Sequence, residues 1–378
     1  MKVRSLVLPG AAFVALAVVA AGCGGSSGGS TPGSSSNGAS VTEAKAYLLP
    51  LLANPTGIGY DKPVSKAVPK GLHAVALENT VPITKRVNDE REKAAKLLGW
   101  TFSRVPVGNK AEDPGKAMDQ ALAMKPKPDV IFEAGYGTAQ LSAQLSKAKS
   151  MGVKVVAECI TDPPVDALVG VRCDKASADQ QAKASAAFIV ANGNGKDHVQ
   201  LFGTSTFPIL GAYNESFIKY MKQWCPNCVV KNNEFQLTDI GTKLPGNVVS
   251  AVQRDPASNW VIFGFGDAMV GVQPALVSAG LDSKVKIGGE IPGPDQYKQL
   301  RDGKQAFWTQ NISPFMGFIE TDVAVRSLVG DDLTTVTGAD LPNQVLTPQN
   351  IGTAVFDGDF WVGFADYVNS FKKQWLLT

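Results

Sequence analysis

Cys225 and Cys228 stand three positions apart in Trp224-Cys-Pro-Asn-Cys228. That spacing suits thiol–disulfide exchange, a structural bridge or half of a zinc site. Exchange chemistry needs the first thiol at a helix N-terminus, where the positive dipole end lowers its pKa. The residues before Cys225 predict a helix and those after Cys228 a strand. The thiols therefore fall at the negative helix end, which favours a disulfide closing the turn. In the chain-entropy picture so short a loop contributes about 2 kcal/mol. Cys159 and Cys173 then form a second bridge, whose larger loop contributes about 3 kcal/mol. Four free thiols holding zinc are the alternative, without a second closely spaced pair to support them.

Other reactive patterns fail on spacing. Gly193-Asn-Gly-Lys-Asp197 lacks the first glycine and the hydroxyl residue of a phosphate loop. Gly203-Thr-Ser-Thr-Phe207 lacks the closing glycine of a nucleophile elbow. Gly264-Phe-Gly266 runs into Asp267 rather than into a dinucleotide fingerprint. The two histidines, His73 and His198, are far apart, which argues against His-based metal sites and Ser-His-Asp catalysis. Neither a catalytic constellation nor a bound cofactor or metal is expected. The run Arg86, Asp89, Glu90, Arg91, Glu92, Lys93 predicts a solvated helix face with i,i+4 pairs.

The elements that must carry these residues alternate. Strands are expected at 73–77, 100–105, 129–132, 153–157, 168–172, 198–202, 228–235, 259–263, 284–288 and 306–310. Helices are expected at 82–98, 113–124, 138–151, 176–191, 209–223, 244–254, 268–279, 294–302 and 315–328. Such alternation means parallel sheets covered by helices on both faces. Two runs of this kind, parted at Pro163-Pro164, give an α/β chain of two doubly wound lobes. Ligands of these folds sit beyond the carboxyl ends of the strands, so two facing lobes define one cleft.

The chain has 378 residues, with 36 Lys and Arg against 34 Asp and Glu. That balance excludes a nucleic-acid binder, which needs a basic face. Lys2 and Arg4 precede an apolar stretch over 5–20 interrupted by Pro9 and Gly10, a secretory signal rather than a span. Ala20-Ala21-Gly22-Cys23 resembles a bacterial lipobox, with Ala20 where leucine is more usual. Lipidation at Cys23 accounts for the fifth cysteine and implies a membrane anchor and an extracytoplasmic location. Losing residues 1–22 removes Lys2 and Arg4, so basic and acidic residues become equal in number. Residues 23–40, almost all Gly, Ser, Thr, Pro and Asn, predict a flexible tether. Residues 41–70 are expected as an irregular lead-in.

The body resembles the type I periplasmic solute-binding proteins of ABC importers, the ribose-binding group in particular. The resemblance rests on Asn79-Thr-Val-Pro82 before a helix ending LLGW, Val171-Arg-Cys-Asp174 opening a helix, and Gly203-Thr-Ser205 with Glu215-Ser-Phe217. It rests also on Phe263-Gly-Phe-Gly-Asp267 and on Asp302-Gly-Lys304 before a strand reaching Asn311. It implies three crossings between lobes, near 162–165, 310–313 and 340–350, and binding by hinge closure. The first lobe is then 71–162 with 312–345, and the second 163–311 with 346–378. The resemblance also implies a monomer with no chemistry of its own that delivers a small molecule to ABC permease subunits.

Carried over residue by residue, the resemblance puts Glu78, Asn79, Thr80, Ile83, Thr84, Tyr136, Ile160, Asp162, Phe207, Tyr213, Ile240, Gly266, Asp267, Glu290 and Asn311 at the ligand. Asp267 is the exception, expected first as a helix cap. Sugar sites in this family use aromatic faces and charged side chains. Here Ile83 and Thr84 replace two aromatics, and Cys159 and Ile160 replace an Asp-Arg pair. Ile240 replaces another aromatic, and Gly266 an asparagine. A ligand less polar than a simple sugar follows: an amphipathic acid, an aromatic or a terpenoid-like molecule. A sugar-binding protein of the same class, a sensor presenting its closed form to a receptor kinase, and a tethered oxidoreductase using Cys225 and Cys228 are the competing readings.

Overall fold

The computed structural model describes residues 35–311 and 314–377. Cys23 and the signal therefore lie outside the described residues. The chain opens with helix α1 (Ser35–Leu51), where the sequence predicted the end of a tether and an irregular lead-in. The cause is local: Glu43-Ala-Lys-Ala-Tyr-Leu-Leu49 is a run of strong helix formers, and Ala44 and Leu48, one turn apart, are both buried.

The first lobe follows as β1 (His73–Glu78), α2 (Pro82–Leu97), β2 (Thr101–Pro106), α3 (Asp113–Leu122), β3 (Val130–Ala134), α4 (Ser142–Ser150), β4 (Lys154–Glu158) and β5 (Leu168–Arg172). Its five parallel strands lie in the order β2-β1-β3-β4-β5. Strand alternation splits the core in two. Ala74, Ala76, Val130, Phe132 and Val156 join one cluster with Val87 and Ala94 of α2. Val75, Leu77, Ile131, Val155 and Ala157 join another with Met118 of α3 and Leu145 of α4.

The second lobe comprises α5 (Lys175–Asn192), β6 (His198–Gly203), α6 (Pro208–Trp224), β7 (Val229–Glu234), α7 (Leu244–Arg254), β8 (Ser258–Phe263), α8 (Val272–Ser278), β9 (Lys286–Glu290), α9 (Pro294–Arg301) and β10 (Phe307–Gln310). The chain returns to the first lobe as α10 (Met316–Val329) and α11 (Thr334–Thr337). It then adds β11 (Gln344–Leu346), antiparallel to β10, and ends with the hairpin β12 (Phe356–Asp357) and β13 (Phe360–Trp361) and with α12 (Tyr367–Gln374). The second sheet runs β11-β10-β9-β8-β6-β7. Leaving β11 aside, both sheets share one doubly wound order, in which the strand sequence reverses beside β1 and beside β6.

Three assignments differ from the expected ones. β5 pairs with β4, so the first crossing follows Arg172 and does not lie at 162–165. Pro163-Pro164 is a loop within the first lobe. Gly170 of β5 is where Val323 of α10 packs; a Cβ there would stand 2.5 Å from Val323 Cγ1. The C-terminal segment also does not stay with the second lobe. Phe371 and Trp375 pack on Phe318 of α10, and Trp375 Nε1 donates to Asp322 at 2.7 Å. β11 itself, at 344–346, belongs to the second sheet rather than the first lobe.

Candidate functional site

The carboxyl ends of the strands of both lobes face one cavity of about 630 Å³, part of it open to solvent. The first lobe contributes Asn79 and Val81 after β1, Ile83 and Thr84 of α2, Ala134 and Gly135 at the end of β3, and Glu158 and Cys159 at the end of β4. The second contributes Phe207 after β6, Ile209 and Leu210 of α6, Phe265 and Asp267 after β8, and Ile291 after β9. β1 and β3, like β6 and β8, flank the points where strand order reverses, which is where such sheets leave a crevice. The wall is mostly aliphatic and aromatic.

A smaller niche, with room for about one water molecule, shares Ile209, Leu210 and Ile291 with this cavity. Cys173, Ser177, Ala178, Gln181, Glu290 and Asn311 complete it. Both amide atoms of Gln181 and of Asn311 are buried without a hydrogen-bond partner among the described residues. Burial alone drives the Glu290 carboxyl well above the usual carboxylate range. The Cys159–Cys173 disulfide connects the two spaces, one sulfur residue on each wall.

Beneath the cavity lies a buried ion network. Arg91 of α2 donates through Nε to Glu320 Oε2 of α10 at 2.7 Å, through Nη2 to Glu158 Oε2 at 2.9 Å, and through Nη1 to Asn88 Oδ1 at 2.6 Å. It also stacks over Phe132. The expected solvated face of α2 is thus wrong at Arg91, which is fully buried. Burial raises Glu158 against the pull of Arg91, and raises Glu320 to about 8. Glu133, buried beside them, is pushed well up by burial while accepting the Tyr136 N–H.

Of the fifteen residues expected at the ligand, Asn79, Ile83, Thr84, Phe207 and Asp267 line the cavity, and Glu290 and Asn311 line the niche. The others do not. Glu78 pairs with Arg104 at 2.9 Å. Thr80 is exposed and donates to Asn109. Tyr136 packs on the second core cluster, and Ile160 is a member of it. Asp162 accepts from the Thr138 N–H and hydroxyl. Tyr213 is fully buried and donates to Ser185 at 2.9 Å. Ile240 packs on the larger core. Gly266 is glycine for space: a Cβ would meet Ile291 O and Pro292 at 2.9 Å. Asp267 caps no helix; it faces Arg86 of the other lobe at 3.7 Å. Gln181 was missed.

Both disulfides form as expected, Cys159–Cys173 and Cys225–Cys228. Cys225 is the C-cap of α6, so its position lacks the helix N-terminus that thiol exchange requires. Asp197 approaches this pair, but its carboxylate already accepts from Asn194, Gly195, Asn259 and Trp260. A zinc ion there would have to displace them.

A sequence model of the periplasmic binding protein domain matches residues 78–332. The chain belongs to this family. No curated protein matches it in sequence. This periplasmic binding protein resembles solved structures at low identity. The glucose-galactose binding protein of Geobacillus stearothermophilus is 17% identical with a TM-score of 0.62, covering 75% of this chain and 99% of that one. A 5-methylthioribose transporter solute binding protein from Thermotoga lettingae, in complex with 5-methylthioribose, is 13% identical with a TM-score of 0.66, covering 83% and 100%. The periplasmic ribose ABC transporter protein of Conexibacter woesei is 13% identical with a TM-score of 0.60, covering 76% and 95%. At these identities the likeness concerns the fold.

Proposed function

We propose that this periplasmic binding protein is the lipid-anchored substrate-binding component of an ABC importer and performs no chemistry itself. It captures a small molecule between its lobes as a monomer and delivers it to the permease. Its ligand is less polar than a simple sugar. The observation that carries this reading is the interlobe wall of Val81, Ile83, Phe207, Ile209, Leu210, Phe265 and Ile291, drawn from both lobes. Burying such a wall against water-exposed hydroxyls would leave them unpaired, whereas an apolar ligand surface gains roughly 25 cal/mol per Å² on transfer.

Native mass spectrometry of the protein as purified tests this directly, because a closed cleft retains its cargo. A thermal-shift screen provides the counter-test: strong stabilisation by ribose, galactose or inositol alone overturns the ligand class. For the anchor, Cys23→Ala should move the protein from the membrane fraction to the soluble one. Unchanged membrane retention of that variant would exclude lipidation at this cysteine.

A further inference from the structure

The Cys159–Cys173 bridge stands where the three crossings between the lobes come together. Cys159 follows β4 and Cys173 follows β5, continuing the register that pairs Glu158 with Arg172, and the Cys159 N–H donates to Arg172 O at 2.8 Å. The next residue, Asp174, already caps α5 of the second lobe by accepting the Ser177 N–H at 3.0 Å. The first crossing therefore has no free residue between the bridge and the second lobe. Arg172 donates to Thr337 O and to Ala339 O, each at 3.0 Å, and so holds the start of the third crossing against the first. Asn311, in the second crossing, lines the niche beside Cys173.

Two features set this bridge apart from an ordinary staple. Both cysteines hold left-handed backbone, with φ of 54° and 58°. That region is unfavourable for a residue with a side chain and persists only where the surroundings enforce it. Space also flanks the bridge on both sides: Cys159 lines the interlobe cavity, and Cys173 lines the niche with room for about one water molecule. Two thiols need more room than a disulfide, because a van der Waals contact replaces a bond. A close-packed interior lacks that room; here each cysteine has space beside it. Cys225–Cys228 differs: Cys225 is buried in the larger core, and Cys228 Sγ accepts the Asp197 N–H at 3.2 Å. The cavity also gives a small dissolved thiol a route to Cys159, which is partly exposed, whereas Cys173 is buried.

We propose that Cys159–Cys173 is a thiol-exchange site that controls the hinge. A dithiol reductant enters the cavity, and one of its thiolates attacks Cys159 Sγ. The Cys159–Cys173 bond breaks, and Cys173 leaves as a thiolate that takes up a proton. The second thiol of the reductant resolves the mixed disulfide, so Cys159 is released as a thiol and the reductant departs as a disulfide. Two electrons and two protons have then passed to the protein. Oxidised, the bridge pins the first crossing to the first lobe and limits how far the lobes rotate. Reduced, both cysteines relax out of the left-handed region and the lobes take up wider separations. The inference rests on the hinge and requires no particular ligand.

Titration of the full chain with dithiothreitol, without denaturant, followed by iodoacetamide trapping and peptide mass spectrometry, tests the site. Cys159 and Cys173 should be labelled at dithiothreitol concentrations about tenfold or more below those that open Cys225–Cys228, while near-ultraviolet circular dichroism stays native. Labelling in the reverse order, or only as the protein unfolds, overturns the proposal. Small-angle scattering of the selectively reduced protein should give a larger radius of gyration, which returns to its starting value on reoxidation with oxidised glutathione. Equal radii in the two states overturn the control of the hinge. Cys225→Ser with Cys228→Ser should keep that scattering response, and Cys159→Ser with Cys173→Ser should show the larger radius without any reductant. A response lost with the first pair of substitutions belongs to the other bridge and overturns the proposal. Should the second pair prevent folding, the reduction series on the unmodified chain decides.

Discussion

Arg91 is the cation that bonds both Glu158 and Glu320 in the interior of the first lobe, with Glu133 close by. Removing one partner of a buried pair leaves an uncompensated charge, which costs about 3–5 kcal/mol. Arg91→Met should therefore lower stability by about that amount in urea titration; a loss under about 1 kcal/mol would mean that the carboxyls are neutral without it. The same residues predict a pH dependence. Burial raises Glu320 from 4.5 to about 8, with Arg91 opposing, Glu158 adding and Arg172 opposing. A carboxyl with a raised folded pKa binds more protons folded than unfolded. Its stabilising effect is complete below the unfolded value and is lost as pH rises through the folded one. Stability should decline between about pH 4.5 and about pH 8 and level off beyond. Glu320→Gln should flatten that slope in melts across the range. Asp119, Asp179, Asp255 and Asp331 have lowered values and act below pH 3.8, outside this window.

Among the elements, α1 is the one whose packing the sequence concealed. It lies on α5 and α6, with Tyr47 beside Trp224 and under the Lys183 ammonium. Its start at Ser35 sits in Gly- and Ser-rich sequence, whose composition signals a linker, and only tertiary burial of Ala44 and Leu48 extends order that far. Deleting residues 35–52 should expose the covered faces of α5 and α6 and lower the melting temperature by about 5 °C or more. An unchanged melt would reduce α1 to a spacer. The α/β alternation itself was legible, since strand and helix periods differ and α7 falls at 244–254 as expected. Sequence order could not show which sheet β5 joins, because that depends on pairing with β4 and on Gly170 admitting α10. For the site, strand ends such as Asn79, Phe207 and Glu290 could be read. Gln181 could have been read too: with Ala184, Ser185 and Phe188 it falls on one buried stripe of α5, where a glutamine is out of character. That its amide is unpaired depends on β9 and β10, which the local pattern does not contain.

The whole molecule is tied across its cleft in more ways than the crossings after Arg172, after Gln310 and before β11. α1 packs on the second lobe, while the segment after it binds the first: Tyr60 donates to Asp322 at 2.9 Å, and Arg326 donates to Lys62 O at 2.6 Å. Between them, Asn54 exchanges hydrogen bonds with Gln344 and Thr353. The N-terminal segment, beyond the matched family region, is thus a further strap between lobes. Arg86 of α2 also reaches Asp267 of the second lobe at 3.7 Å, too long for a hydrogen bond but close for an ion pair. Burial raises the Asp267 carboxyl against the pull of Arg86. Both side chains keep partial solvent access, so the pair contributes about 1 kcal/mol or less to closure and is screened by salt. Arg86 does not line the cavity, so Arg86→Gln changes closure without touching a ligand. In small-angle scattering of the ligand-free protein, the variant should have a larger radius of gyration than the parent at low salt. The difference should vanish at about 1 M salt, where the Debye length is about 3 Å. Equal radii at every salt concentration would mean that the strap and crossings alone set the resting separation of the lobes, and that Arg86 and Asp267 meet as a consequence of closure rather than as a cause.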